Sequence, residues 1–188
     1  MKTRIQLYLF AVLLINVISN CTPSAKLYKN GDKKSIYTGR LEDADYNYLK
    51  QLLVANTNMP LKDTLIIKYD YNHETCWDVL DQKPDEHITS FITTHQARVQ
   101  KFRELRPNVS LFEYREPGKF SNKLKKWNTS IIVDSSKQLY KLLFSERTTC
   151  GSSIIILPTK NFIFFRSDAH SMAMDYTQEQ IKKLLHIE

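Results

Sequence analysis

The 188-residue chain is short of the features that mark several large classes of protein. Once its first twenty residues are set aside, no stretch is long and apolar enough to cross a bilayer, which takes about 20 consecutive apolar residues. It has no internal repeat and no low-complexity tract, so repeat architectures are not indicated. Cysteine is scarce, with only Cys21, Cys76 and Cys150. They supply no Cys/His pair-plus-pair pattern of the sort that holds structural zinc. His73, Glu74, Cys76 and Asp78 crowd together, and Asp85, Glu86 and His87 follow, but neither group has the spacing of a metal site. No metal or other cofactor is expected. His170, with Asp168 and Ser171, has the residue types of a hydrolytic triad, yet no nucleophile elbow accompanies it, and three such residues within a few positions are ordinary turn chemistry.

What is present begins with a leader. Lys2 and Arg4 precede an apolar stretch over residues 7–15, the length of a signal-peptide h-region and too short to span comfortably. Val17-Ile18-Ser19-Asn20-Cys21 then resembles the lipobox of bacterial lipoproteins, with Asn20 in place of the usual Gly or Ala, a looseness found in the Bacteroidetes. The resemblance implies cleavage after residue 20, lipid attachment at Cys21, and a membrane-anchored place in the cell envelope, periplasmic or surface-facing. An ordinary secretory signal with Cys21 near the cut is the other reading. With Cys21 consumed by lipid, an even number of thiols remains in an oxidising compartment, where cysteines commonly pair.

The 168 residues that follow suit one domain with a proper core. The leader holds two bases and no acid, so about +5 of the formal +7 charge stays with the mature chain. Apart from a cluster at Lys119, Lys123, Lys125 and Lys126 that charge is scattered, which fits a solvated face or contact with envelope anions; no nucleic-acid partner is expected.

Residues 21–39 lack periodicity and read as a flexible tether, with the domain over 40–188. Leu41, Ala44, Tyr48, Leu49, Leu52 and Leu53 place an apolar stripe on a first helix. The run 65–69 predicts a strand buried on both faces. Ile88, Phe91, Ile92, His95, Val99 and Phe102 mark a long helix from about Asp85, closed by Pro107, with His95 a core or boundary histidine. A strand follows over 109–114, then a basic segment, a brief apolar run at 131–133 and a short helix around 139–143. Residues 153–157 and 162–165, separated by Pro158-Thr159-Lys160-Asn161, predict an antiparallel hairpin. Thr177-Gln178-Glu179-Gln180 is a capping box opening a final helix. Strands separated by helices call for parallel pairing and the hairpin for an antiparallel edge, so the product is an α/β sandwich with a mixed central sheet.

That layout carries a resemblance. The segments Ser130 to Tyr140, Cys150-Gly151-Ser152-Ser153-Ile154-Ile155-Ile156-Leu157-Pro158 and Asn161 to Phe165 resemble the C-terminal half of extracytoplasmic thioredoxin-like proteins of the thiol-disulfide oxidoreductase and peroxiredoxin kind. The likeness implies that the loop before the hairpin packs on the turn where such enzymes carry Cys-x-x-Cys, so Cys76 and Cys150 should be neighbours and a disulfide between them becomes possible. The departures bear on function. One cysteine, Cys76, occupies the motif region, the residue three before it is His73 rather than Thr, and Ser152 or Ser153 stands where a cis-proline is expected. Two readings follow: a binding or structural protein in which Cys76 and Cys150 form a stable cross-link, with an envelope protein as partner, or a noncanonical oxidoreductase in which Cys76 attacks, Cys150 resolves and His73 favours the thiolate. Glu74 and Asp78 act against that thiolate, since nearby negative charge raises a thiol pKa. Trp77 and Trp127 read as packing residues, Trp77 also as a possible wall of a peptide groove.

Overall fold

The computed structural model describes residues 35–187, apart from 58–59, 73, 75, 77–78, 80–81 and 119–130. Cys21, His73, Trp77, Asp78, Trp127 and the basic cluster from Lys119 to Lys126 lie outside the described residues.

Six strands form one sheet: β1 (Ile36–Arg40), β2 (Thr64–Asp70), β3 (Val109–Arg115), β4 (Ile132–Val133), β5 (Gly151–Ile156) and β6 (Asn161–Phe165), in the order β1-β6-β5-β2-β3-β4. Helices α1 (Asp43–Asn56), α2 (Asp85–Leu105), α3 (Gln138–Leu143) and α4 (Gln178–Leu185) cover its faces. β2, β3 and β4 run parallel, while β5 is antiparallel to β2, β6 to β5 and β1 to β6. The mixed sheet expected from alternating helices and a closing hairpin is therefore present.

β2 shows why the sheet is buried on both sides. Leu65, Ile67 and Tyr69 point into one cluster with Leu49 and Leu53 of α1 and Leu139 and Leu142 of α3, whereas Ile66 enters a second with Val99 and Phe102 of α2 and Ile181 of α4. Alternate side chains of one strand thus feed two cores, which is why its sequence is nearly continuous in apolar residues.

Several local expectations shift. Residues 36–39, read as tether, belong to β1, which pairs with β6 from Ile36 opposite Phe165 to Arg40 opposite Asn161. Without it the hydrogen-bonding edge of β6 would be left open, and edges of that kind recruit a partner strand. Gly39 faces the Phe162 ring so closely that an added Cβ would stand 2.7 Å from its Cζ. In α1 the buried stripe is Asp45, Leu49, Leu52 and Leu53, while Ala44 is exposed, because the stripe runs back from Leu49 by four residues rather than five. α4 has the capping box: Gln180 N–H donates to Thr177 Oγ1 at 3.2 Å and Thr177 N–H to Gln180 Oε1 at 2.8 Å.

Two buried tyrosines make the fold sensitive to alkali. Burial, with the charge of Asp134, raises the Tyr69 hydroxyl far above its usual range, and burial pushes Tyr114 up to about 12, against the opposing influence of the Asn56 side chain. Both folded values exceed the unfolded one near 10, so the stabilisation is complete below pH 10 and is lost as pH rises beyond it. The unfolding free energy should fall by up to about 1.4 kcal/mol per pH unit for each tyrosine above pH 10. Urea midpoints at pH 9, 10 and 11, read beside tyrosinate absorbance, check this; an unchanged midpoint would contradict it.

Candidate functional site

The parallel strands β2 and β3 end at Asp70 and Arg115, and the loops leaving them meet the loop that enters β5. Cys76, on the segment between β2 and α2, and Cys150, the residue before β5, form a disulfide with a Cα separation of 5.7 Å across 74 residues of sequence. That separation lies inside the range unstrained bridges take. The pair implied by the fold resemblance is thus brought together. β5 begins at Gly151, two residues before the expected start at Ser153, so Ser152 and Ser153, at the position the resemblance gives to a cis-proline, both lie inside the strand and Cys150 is the last loop residue.

The two sulfurs have different surroundings. Cys150 is 8% exposed, has a left-handed backbone (φ 70°) and accepts a hydrogen bond on its carbonyl from the Tyr71 amide at 3.3 Å. Around it, Gly151 N–H donates to Thr149 O, and Gly151 O accepts from both the Asp168 amide and Thr148 Oγ1. Cys76 is half-buried and lines a 220 Å³ cavity with Val79, Lys83, His87, Phe91, Ala169 and His170. Among the described residues the ionisable groups on that wall are a lysine and two histidines, with no carboxylate.

Arg147 ties the same loops together independently of sulfur. Its guanidinium donates to Glu74 Oε1 at 2.9 Å, to Glu116 Oε2 at 2.7 Å and to the Asn72 carbonyl, and lies 5.2 Å from the Tyr71 ring centroid. Burial opposes its charge, but the hydrogen bonds and attraction of Glu116 and Glu74 leave its pKa raised. Glu116 in turn accepts from the Asn72 amide at 2.9 Å, and Tyr71 Oη donates toward the carbonyls of Phe144 and Glu146. Glu74, which the sequence set against a Cys76 thiolate, is therefore engaged by a cation. Nothing in the sequence pointed to Arg147, because its partners lie 31 to 75 residues away.

Beneath the bridge is a buried polar layer on the α2 side of the sheet. Lys68 Nζ stands 2.8 Å from Asp70 Oδ1 and also donates to the Asp168 carbonyl; Ser153 Oγ donates to the Asp168 carboxylate. Glycine at 151 is required by this layer, since a Cβ there would lie 2.6 Å from Asp70 Oδ1, Lys68 Nζ and the Tyr69 carbonyl. Arg115 is 2% exposed; burial lowers its pKa, with the charge of Asp70 opposing that shift. His95 pairs with Glu113 at 2.6 Å, a boundary histidine satisfied by a carboxylate. A 120 Å³ cavity whose lining includes Lys68, Asp70, His95 and Glu113 adjoins the one beside Cys76, sharing Phe91, Ala169 and His170.

Asp168, His170 and Ser171 do not form a triad. The Asp168 carboxylate accepts the amides of His170 and Met172 and so closes its own turn, leaving Ser171 without a base. Among the described residues no group of three His, Cys, Asp or Glu side chains is placed to hold a metal ion, and no helix is long and apolar enough to cross a membrane.

β2, α2 and β3 as a parallel unit, then α3, then the β5–β6 hairpin and α4, with β2 central between β3 and β5, make this a thioredoxin-like α/β fold whose bridge joins the loop after the first central strand to the loop before the hairpin. No protein-family model matches the chain, and no curated protein is significantly similar to it. Among solved structures it is similar to MTB DsbF in its mixed oxidised and reduced forms, at 11% identity and a TM-score of 0.38, covering 66% of this chain and 82% of that one.

Proposed function

We propose that this is an exported, lipid-anchored protein of the cell envelope whose thioredoxin-like domain serves in binding, with the Cys76–Cys150 bridge as a structural cross-link between the loops of its binding end. The observation that carries the reading is the setting of Cys150. It is buried, its carbonyl is engaged by Tyr71, and its neighbours are held by Thr148 and Asp168, so freeing its sulfur for exchange means disturbing the entry to β5. The Arg147 brace supports the same reading, because both devices tie the same segments. The partner is an envelope protein that meets the concave surface beside Cys76, and the lipid on Cys21 supplies the membrane contact.

A second reading is favoured by one observation, the half-buried Cys76 lining a cavity with Lys83, His87 and His170, since a nearby lysine cation favours a thiolate and an imidazole can hydrogen-bond to it. In that reading the reduced Cys76 thiolate attacks a substrate disulfide and releases one substrate thiolate. Cys150 then attacks the Cys76 sulfur, re-forming the bridge and releasing the second, so the substrate gains two electrons and the pair loses them. An envelope dithiol protein would restore the pair.

Insulin reduction by the wild type, Cys76→Ser and Cys150→Ser separates the two. The structural reading expects no turnover between pH 6 and 9 and a bridge that resists mild reductants. Turnover abolished by Cys76→Ser would overturn it.

A further inference from the structure

At the other end of the sheet from the bridge, α2 and α4 leave a gap over the starts of β2 and β3. The gap holds a 410 Å³ cavity, while those near Cys76 measure 120 and 220 Å³. Small-molecule sites run from about 300 to 1,000 Å³ and are mostly apolar with a few placed polar groups. Of these three cavities this one alone reaches that size.

Its floor is Ile66 and Ile155 of the sheet, and its walls include Val109, Leu157, Ile181 and Ile187. Among the described residues two ionisable side chains line it, Arg106 at the end of α2 and Lys182 on α4, and no carboxylate does. Neither cation forms an ion pair with a described acid: Arg106 lies over the Phe102 ring at 5.2 Å, and Lys182 is exposed. An apolar slot with positive charge at its wall is complementary to a molecule with an apolar tail and one negative end. Neutral apolar ligands would leave both cations without a partner, and cationic ones would be repelled.

We propose that this cavity binds a free single-chain carboxylate of medium length, its tail between α2 and α4 and its carboxylate at Arg106 and Lys182. The tail length follows from the volume. At about 30 Å³ for a water-sized group, 410 Å³ accommodates roughly a dozen such groups, the bulk of a ten-carbon fatty acid and its head. The site is separate from the bridge: β2 runs from Thr64 at this cavity to Asp70 near Cys150, about 20 Å along the strand.

The test is calorimetric titration of the intact chain with sodium decanoate below its micelle concentration, beside decyltrimethylammonium as the cation of matched tail. Saturable binding of decanoate at one site, with the cation about tenfold weaker, is the expected result. The double charge reversal Arg106→Glu and Lys182→Glu, at a half-buried and an exposed position, should invert that preference. Ile181→Trp, which fills the slot, should abolish binding of both; if that variant fails to fold, the charge reversal decides alone. No saturation by decanoate, equal binding of the two amphiphiles, or a preference indifferent to the charge reversal would each overturn the proposal. None of these outcomes depends on whether the bridge exchanges.

Discussion

Removing the bridge, by Cys150→Ser, by Cys76→Ser or by full reduction, is expected to lower the unfolding free energy by about 4 kcal/mol. The figure follows from chain entropy: the bridge closes a 74-residue separation, and cross-linking a loop of that size removes about 4.5 kcal/mol of freedom from the unfolded ensemble. Two features of the native state bear on how much is realised. The 5.7 Å Cα separation means the bridge forms without pulling the loops out of place. The Arg147 contacts hold the same loops after the sulfur is gone, so native order is retained and the loss is chiefly an unfolded-state effect. For a domain of this size, about 4 kcal/mol corresponds to roughly 8–15 °C in Tm. Urea unfolding of wild type, both single variants and the double variant provides the check. The two single losses should be equal and the double no larger, because each breaks the same bond. A loss under about 1 kcal/mol would mean that the bridge adds nothing the loops do not already have.

Lys68→Met should cost about 3–5 kcal/mol, the range found when one partner of a buried ion pair is removed. The lysine side chain is 4% exposed and reaches both the Asp70 carboxylate and the Asp168 carbonyl, so methionine fills the volume while stranding two acceptors. Leaving the buried Asp70 charge with Arg115 as its remaining counter-charge is the dominant cost; the lost Asp168 contact adds a smaller one. The double variant Lys68→Met/Asp70→Leu removes both charges and should recover a good part of the loss, though Arg115 then loses the charge opposing its burial. Denaturant midpoints of the two singles and the double give the coupling energy directly. A single-variant cost below about 1 kcal/mol, or a double no better than the singles, would show that this polar layer is not held by the pair.

Both predictions concern residues the sequence described unequally. Cys76 and Cys150 stood out by scarcity, and the resemblance to thioredoxin-like proteins implied that they lie on adjoining loops. Lys68 gave no such signal: it lies in a run read only as a strand buried on both faces, and what its ammonium meets is decided by the covering α2 and the Asp168 turn. Arg147 was equally silent, since its three partners come from segments far along the chain. His170, which invited a triad with Asp168 and Ser171, instead joins the wall of the cavity beside Cys76, where no local pattern would have placed it. The β1 strand was missed for a different reason. Its five residues alternate weakly and follow a polar stretch, and what makes them a strand is the open edge of β6, a partner more than 120 residues away.

The sequence by itself determined the periodic elements and their order: the two amphipathic helices before β3, the doubly buried β2, the hairpin, the capping box of α4, and hence a mixed sheet with helices on both faces. Those features rest on near-neighbour spacing, which the backbone reads at 3.6 or two residues per repeat. Tertiary structure alone decided that Cys150 is buried while Cys76 borders a basic cavity, that Arg147 braces their loops, and that Lys68 and Asp70 form a covered pair requiring glycine at 151. It also decided that α2 and α4 stand apart over an apolar slot. Each depends on where a side chain ends up relative to residues tens of positions away, and burial, charge pairing and cavities exist only once those distances are set by packing.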